Sequence, residues 1–203
     1  MSNGQINIMR TVVHVAALLP LVVLIWDYIQ GNLSANPIRD IQLRTGATAI
    51  NLLMLTLACK PTSILTGFKA VLSLRRPLGI YAFIYVLLHF INFVGLDYSF
   101  NLGLIREDLF DKRYAIVGFV SFLLLLPLAI TSIKRLRQQM GKNWQRVHWL
   151  VYPAAILAIV HYLWQTKEDI QLPIIYGVVL VILLIIRLPV VRNFAKQHFK
   201  WFS

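Results

Sequence analysis

Apolar residues gather in six runs along this chain, at about 11–28, 45–58, 78–96, 114–133, 150–164 and 172–188, with polar segments between them. Most of these runs approach the roughly 20 residues that a helix needs to cross a hydrocarbon core about 30 Å thick. The pattern predicts an all-α, polytopic membrane protein built as a six-helix transmembrane bundle, with the second run the shortest of the six. Pro20, Pro127 and Pro153 fall inside runs, where local kinks are expected and neighbouring helices can satisfy the freed backbone carbonyls. We find no internal repeat and no linker rich in Ser, Gly or Pro, so residues 1–203 read as a single domain.

Composition agrees with that reading, because 58% hydrophobic and 14% charged residues leave too little polar surface to cover a soluble core of this length. The charges also set the orientation. Lys60, Lys69, Arg75 and Arg76 lie between runs two and three, and Lys134, Arg135, Arg137, Lys142 and Arg146 between runs four and five, with no acid among them. Arg192, Lys196 and Lys200 follow the last run. All eight acids, Asp27, Asp40, Asp97, Glu107, Asp108, Asp111, Glu168 and Asp169, fall on the other side or at its edge. Cations collect in cytoplasmic loops, so both termini are expected in the cytoplasm. The net charge of +12 then reflects topology and contact with anionic membrane lipid, not a nucleic-acid surface. The first run follows Arg10 as a secretory signal would, but it is longer than such a segment. Asn32-Leu33-Ser34-Ala35 also lacks the small-x-small cleavage pattern, so a retained helix is expected. The single Cys59 reads as a small buried apolar residue and can form neither an internal disulfide nor a CxxCH motif.

Three histidines, His89, His148 and His161, stand in or beside these apolar runs, where an ionisable side chain is costly and usually has a job or a partner. Runs three and five cross in the same direction. Counted back from their outer ends, His89 is eight residues before Asp97 and His161 six before Lys167, a depth difference of only about 3 Å. Two imidazoles at matched depth suit bis-histidine ligation of one b-type heme iron between helices, with His89 and His161 as the metal ligands. Ala82, Gly118, Ala154, Ala155 and Ala158 are candidate small positions beside the macrocycle. His148 lies 13 residues before His161, about 20 Å lower and about 140° away in a straight helix. A second heme there would need another ligand, for which His14 is the candidate. Otherwise His148, Arg75 and Arg76 suit heme propionates, a flavin phosphate or lipid headgroups. His198, in a tail with Phe194, Phe199, Trp201 and Phe202, reads as interfacial.

At these residues the chain resembles a known family. Leu74-Arg75-Arg76-Pro77-Leu78-Gly79, Tyr85-Val86-Leu87-Leu88-His89, Trp144-Gln145-Arg146-Val147-His148 and His161-Tyr162-Leu163-Trp164 are similar to the heme-binding membrane subunits of bacterial periplasmic methionine sulfoxide reductase systems, the MsrQ or YedZ type. Ser34-Ala35-Asn36-Pro37 and Arg44-Thr45-Gly46 fit the same pattern, which covers about 35–167. That type belongs to a wider ferric-reductase-like group of six-helix membrane cytochromes. The resemblance implies heme b and FMN as cofactors, and His89, His148 and His161 as the family's three histidines. It also implies the bacterial inner membrane as location and a periplasmic molybdopterin-containing methionine sulfoxide reductase catalytic subunit as partner.

The chain shows no GxGxxG after a strand, no P-loop, no CxxC pair and no HExxH. About fifteen residues after the sixth run are too few for a nucleotide- and flavin-binding domain. Electrons are therefore expected from a membrane quinol or a cytoplasmic flavin reductase, and an electron-transfer subunit is expected in place of a substrate-reducing enzyme. The 97–113 segment is the expected outer docking face, and the 134–146 segment the inner one. Two rival readings are a direct ferric-type reductase and a transporter or scaffold whose histidines bind no heme.

Overall fold

The computed structural model describes residues 3–166 and 170–191, and every regular element among them is helical. In chain order these are α1 (Asn3–Ile29), α2 (Pro37–Thr66), α3 (Arg75–Ile91), α4 (Leu102–Asp111), α5 (Arg113–Ile130), α6 (Lys134–Met140), α7 (Lys142–His148), α8 (Val151–Gln165) and α9 (Gln171–Ile185). A 3₁₀ turn, Lys69–Leu74, leads into α3, and a π-helical turn, Asn92–Asp97, continues it. Among the described residues, five helical segments are long and apolar enough to cross a membrane: Gly4–Ile29, Pro37–Thr66, Lys69–Asp97, Arg113–Ile130 and Lys142–Gln165. The sixth run gives a shorter apolar helix, Gln171–Ile185. Its 15 residues span only about 22 Å, because the chain turns at 186–188 ahead of Pro189, which disfavours helical backbone in the residue before it. His198, its aromatic neighbours and tail cations, and Lys167, Glu168 and Asp169, lie outside the described residues.

The helix that looked shortest by hydropathy is the longest and the most buried. Its start is written locally: Asn36 accepts a hydrogen bond from the Arg39 amide at 3.0 Å, Pro37 opens the first turn, and Gly67 closes the last at φ 69°. Polar residues break the apolar run of α2, yet they suit a helix surrounded by protein. Thr45, Thr48 and Thr56 each return their hydroxyl to the carbonyl four residues back. Thr45 and Leu57 are only 1% exposed. α1 and α9, apolar over most of their length, instead turn Val12, Leu19, Val22, Ile174, Val178 and Val181 outward. This inversion follows from a lipid surround, where apolar side chains gain little by leaving the surface and polar ones must pair inside.

Interhelical hydrogen bonds lock the bundle. Tyr85 donates to the Ala17 carbonyl at 2.8 Å, Ser121 to the Ala154 carbonyl at 2.9 Å, and Tyr176 to Asn51 at 2.6 Å. Each is worth about 0.6 kcal/mol on average in membrane proteins. Ala154 and Ala155 are fully buried, and Ala82 nearly so. α2 packs chiefly on α3 and α5 chiefly on α8, while Phe90 and Phe122, stacked at 4.6 Å, join the two pairs.

The 97–113 segment is more ordered than an extended loop. Asn101 caps α4 by accepting from the Gly103 and Leu104 amides, and Tyr98, Asp108 and Lys112 hydrogen-bond one another. The Asp108 carboxylate holds the exposed Lys112 ammonium above the ordinary lysine value. A raised lysine value means this support is complete below the ordinary lysine range and is lost as pH rises through the folded-state value. Amide exchange in α4 should accordingly stay unchanged from pH 7 to 9 after correction for intrinsic rates and quicken only well above 10. Asp108→Asn should remove that alkaline step.

Candidate functional site

Two histidines meet at the end of the bundle where the acids collect. His89, in the last turn of α3, lays its ring against α2; His161, on α8, lays its ring against α5. His89 Nδ1 donates to the Gln42 carbonyl at 2.9 Å, and His161 Nδ1 donates to the Tyr114 carbonyl at 2.7 Å. A carbonyl can only accept, so each neutral ring carries its proton on Nδ1 and leaves a lone pair on Nε2. The Gln42 side-chain amide, 3.1 Å from His89 Nε2, donates to that lone pair. Asn92 fixes the amide's direction by donating to Gln42 Oε1 at 2.5 Å, and it also reaches the Ile38 carbonyl at 3.2 Å. Asn92 is 2% exposed and sits at the start of the π turn, which re-aims the chain just after His89.

The imidazole centroids are 6.1 Å apart and their planes are at 89°. Two imidazoles bonded to one metal at about 2 Å each have ring centres about 6 Å apart. Proximity, tautomer and apolar surround therefore fit a metal held between Nε2 atoms, with the Nδ1 hydrogen bonds acting as the outer support that such ligands usually have.

Both histidines are held by the same local device. In each, the accepting carbonyl lies four residues before a glycine: Gln42 before Gly46, and Tyr114 before Gly118. A side chain on residue i+4 of a helix shields the carbonyl of residue i, and a glycine uncovers it for a second donor. A Cβ on Gly118 would stand 2.5 Å from His161 Nδ1, and one on Gly46 would stand 3.1 Å from His89 Nδ1. The histidine follows its carbonyl by 47 residues in both cases. The α2–α3 and α5–α8 pairs thus support their histidines by the same arrangement of carbonyl, glycine and ring.

The structure brings His89 and His161 together, as their matched depth predicts, and leaves the other candidates elsewhere. His148 ends α7, stacks on Trp144 with centroids 3.9 Å apart, and has Nε2 3.2 Å from the Thr131 hydroxyl. A turn at 149–150 separates it from α8, so the straight-helix phase of 140° does not apply. His14 has its Nδ1 3.0 Å from the Tyr81 hydroxyl, not at His148. Arg75 and Arg76 open α3 as exposed residues, with Arg75 within electrostatic reach of His148. Among the described residues no group of three or more His, Cys, Asp or Glu converges as a metal site. Sequence reasoning missed Gln42, Asn92 and the Tyr114 carbonyl. The only available signal was the glycine four residues past each carbonyl, which has no meaning until the facing helix is known.

A helical membrane bundle with two facing imidazoles defines the class: the chain belongs to the ferric reductase like transmembrane component family, whose model matches residues 43–159. Relatives resolve the class further. The chain is 40% identical over 181 residues to the protein-methionine-sulfoxide reductase heme-binding subunit MsrQ of Xanthomonas axonopodis pv. citri, covering 86% of this chain and 83% of the relative. It is 40% identical over 186 residues to that of Rhodospirillum rubrum, covering 91% and 89%. Within the wider family it is a member of the MsrQ group, and the apolar helices make it a multi-pass membrane protein.

Proposed function

We propose that this protein holds a b-type heme between His89 and His161 and carries electrons across the bacterial inner membrane. The acceptor in this reading is a periplasmic molybdopterin-containing methionine sulfoxide reductase catalytic subunit. The donor is a quinol or a cytoplasmic flavin reductase. The single observation that carries the reading is the pair of imidazoles 6.1 Å apart, each with Nδ1–H tied to a backbone carbonyl. The names of the relatives, heme-binding subunits of protein-methionine-sulfoxide reductase, supply the physiological setting. In the same reading the chain is one domain with both termini cytoplasmic, and α9 completes a sixth crossing with local thinning of the bilayer.

Bound heme supplies reversible one-electron chemistry. The chain's own residues do the rest. The Gln42 and Tyr114 carbonyls fix both tautomers, so neither ring has to turn or lose a proton to present Nε2. For His89 Nε2 to ligate, the Gln42 side chain would have to release it, and Asn92 would keep hold of the released amide. Asn92→Ala should weaken heme affinity about tenfold, the lower end of the range for outer-shell ligands, while the absorption band positions stay unchanged. The inner face, with His148, Arg75 and Arg76, is where FMN or another donor approaches. His148→Ala should leave the heme content of the purified protein unchanged.

The test is the absorption spectrum of the detergent-purified chain, oxidised and dithionite-reduced, with pyridine hemochrome quantification. A reduced α-band of b type at near one heme per chain is expected. No heme after expression with ample supply would overturn the proposal and leave a transporter or scaffold in its place.

A further inference from the structure

At the end of the bundle opposite the histidine pair, two arginines stand without a counter-charge among the described residues. Arg187, two residues past α9, is drawn back among the helices: Nη1 donates to the Tyr152 hydroxyl at 2.7 Å and Nη2 to the Leu57 carbonyl. Its guanidinium lies 5.3 Å from the centre of the Tyr152 ring. Nε is buried and has no partner. Arg75, the first residue of α3, is within electrostatic reach of both Arg187 and Tyr152. Ser73, two residues earlier, is another buried hydroxyl with no partner.

Arginine stays charged in proteins, so this repulsion cannot be relieved by losing a proton. Nor does any acid among the described residues supply the anion. The ion pairs among the described residues join Arg44 to Asp27 and Asp40, and Lys112 to Asp108. The remaining described acids, Asp97, Glu107 and Asp111, lie in the π turn that follows α3 or in α4, toward the histidine end. An oxyanion from outside the chain is what two guanidiniums and a tyrosine require. The planar fork suits phosphate. Tyr152 accepts from Arg187, which leaves its own proton free to donate. The surroundings specify the source: Arg75 is exposed, and Trp149, Ile185 and Leu188, all about half exposed, offer apolar surface around this end. Such a basic cluster at the membrane boundary suits a lipid headgroup.

We propose that Arg75, Arg187 and Tyr152 form a phosphate-binding site at the inner end of the bundle, and that its occupant is the headgroup phosphodiester of an anionic phospholipid. The site depends on the membrane reading of the fold and not on heme. The test uses the full chain, purified in detergent and stripped of lipid, with thermal unfolding followed by tryptophan fluorescence. Phosphatidylglycerol should raise the midpoint in a saturable way, and phosphatidylcholine with the same acyl chains should not. Arg75→Gln and Arg187→Gln should each require at least tenfold more phosphatidylglycerol for the same rise, and so should Arg187→Lys, which keeps the charge but loses the fork. Inorganic phosphate or FMN competing below the lipid's half-saturating concentration would keep the phosphate site but assign it to a soluble ligand. Equal responses to the two lipids, or wild-type behaviour in the arginine variants, would overturn it. Arg75 is exposed, so its variant keeps the test available should Arg187→Gln fail to fold. A chain that responds to lipid but binds no heme would sink the carrier reading and leave this site standing.

Discussion

Alanine at His89 or at His161 is expected to strip the purified protein of heme, each variant alone being as severe as the pair. The two rings face each other 6.1 Å apart from different helices, and no third group of the kind that ligates metal converges there among the described residues. A metal that lost one of these imidazoles would therefore find no replacement among the described residues. The histidine that remains keeps its carbonyl, since the Gln42 and Tyr114 bonds are made independently. Helix content by circular dichroism should survive in both variants, because His161→Ala loses one hydrogen bond and His89→Ala two, each worth about 1 kcal/mol. Pyridine hemochrome per chain is the deciding measurement. Full heme in either variant would refute the pairing.

Gly118→Ala should be nearly as damaging although it adds one methyl group and touches no ligand atom chemically. The new Cβ would stand 2.5 Å from His161 Nδ1 and 2.8 Å from Cε1, well inside contact distance. The ring cannot retreat without breaking its 2.7 Å bond to the Tyr114 carbonyl, the bond that fixes its tautomer. Overpacking costs about 1–3 kcal/mol, and loss of an outer-shell partner weakens metal binding about 10- to 100-fold. Gly46→Ala provides the internal scale. Its Cβ would meet His89 at 3.1 Å, a distance that a few tenths of an ångström of ring movement relieves. Heme retention should fall in the order wild type, Gly46→Ala, Gly118→Ala. Equal retention in all three would mean that the glycines do not set the ring positions.

Much of the architecture was readable along the chain because a bilayer imposes one dimension on it. Five of the six apolar runs map onto helices long enough to span, and the matched depth of His89 and His161 needed only a count from the polar ends. The exceptions have physical causes. α2 was underestimated because Gln42, Arg44, Thr45 and Thr48 depress an apolar average, yet these side chains pair with neighbours inside the bundle. α9 was overestimated because its run continues in composition through a turn that precedes Pro189. The short helices α4, α6 and α7 were invisible in segments read only as charged connections. The shared support of the two histidines was missed for a different reason. Its signature is a backbone carbonyl, a glycine and a histidine at fixed offsets, and a carbonyl has no letter in the sequence.

The sequence by itself determined the solvent of this protein, its helical class and the depth of its two central histidines, because hydrophobic length and charge placement are properties of single segments. Only the tertiary structure decided which helix faces which. From that follow the ring tautomers, the Gln42 and Asn92 contacts around His89, and the separation of His14 from His148. It also draws Arg187 back to Leu57 and Tyr152 across 130 and 35 residues of chain. Those outcomes depend on hydrogen bonds between segments distant in sequence, whose partners exist only once the helices have packed.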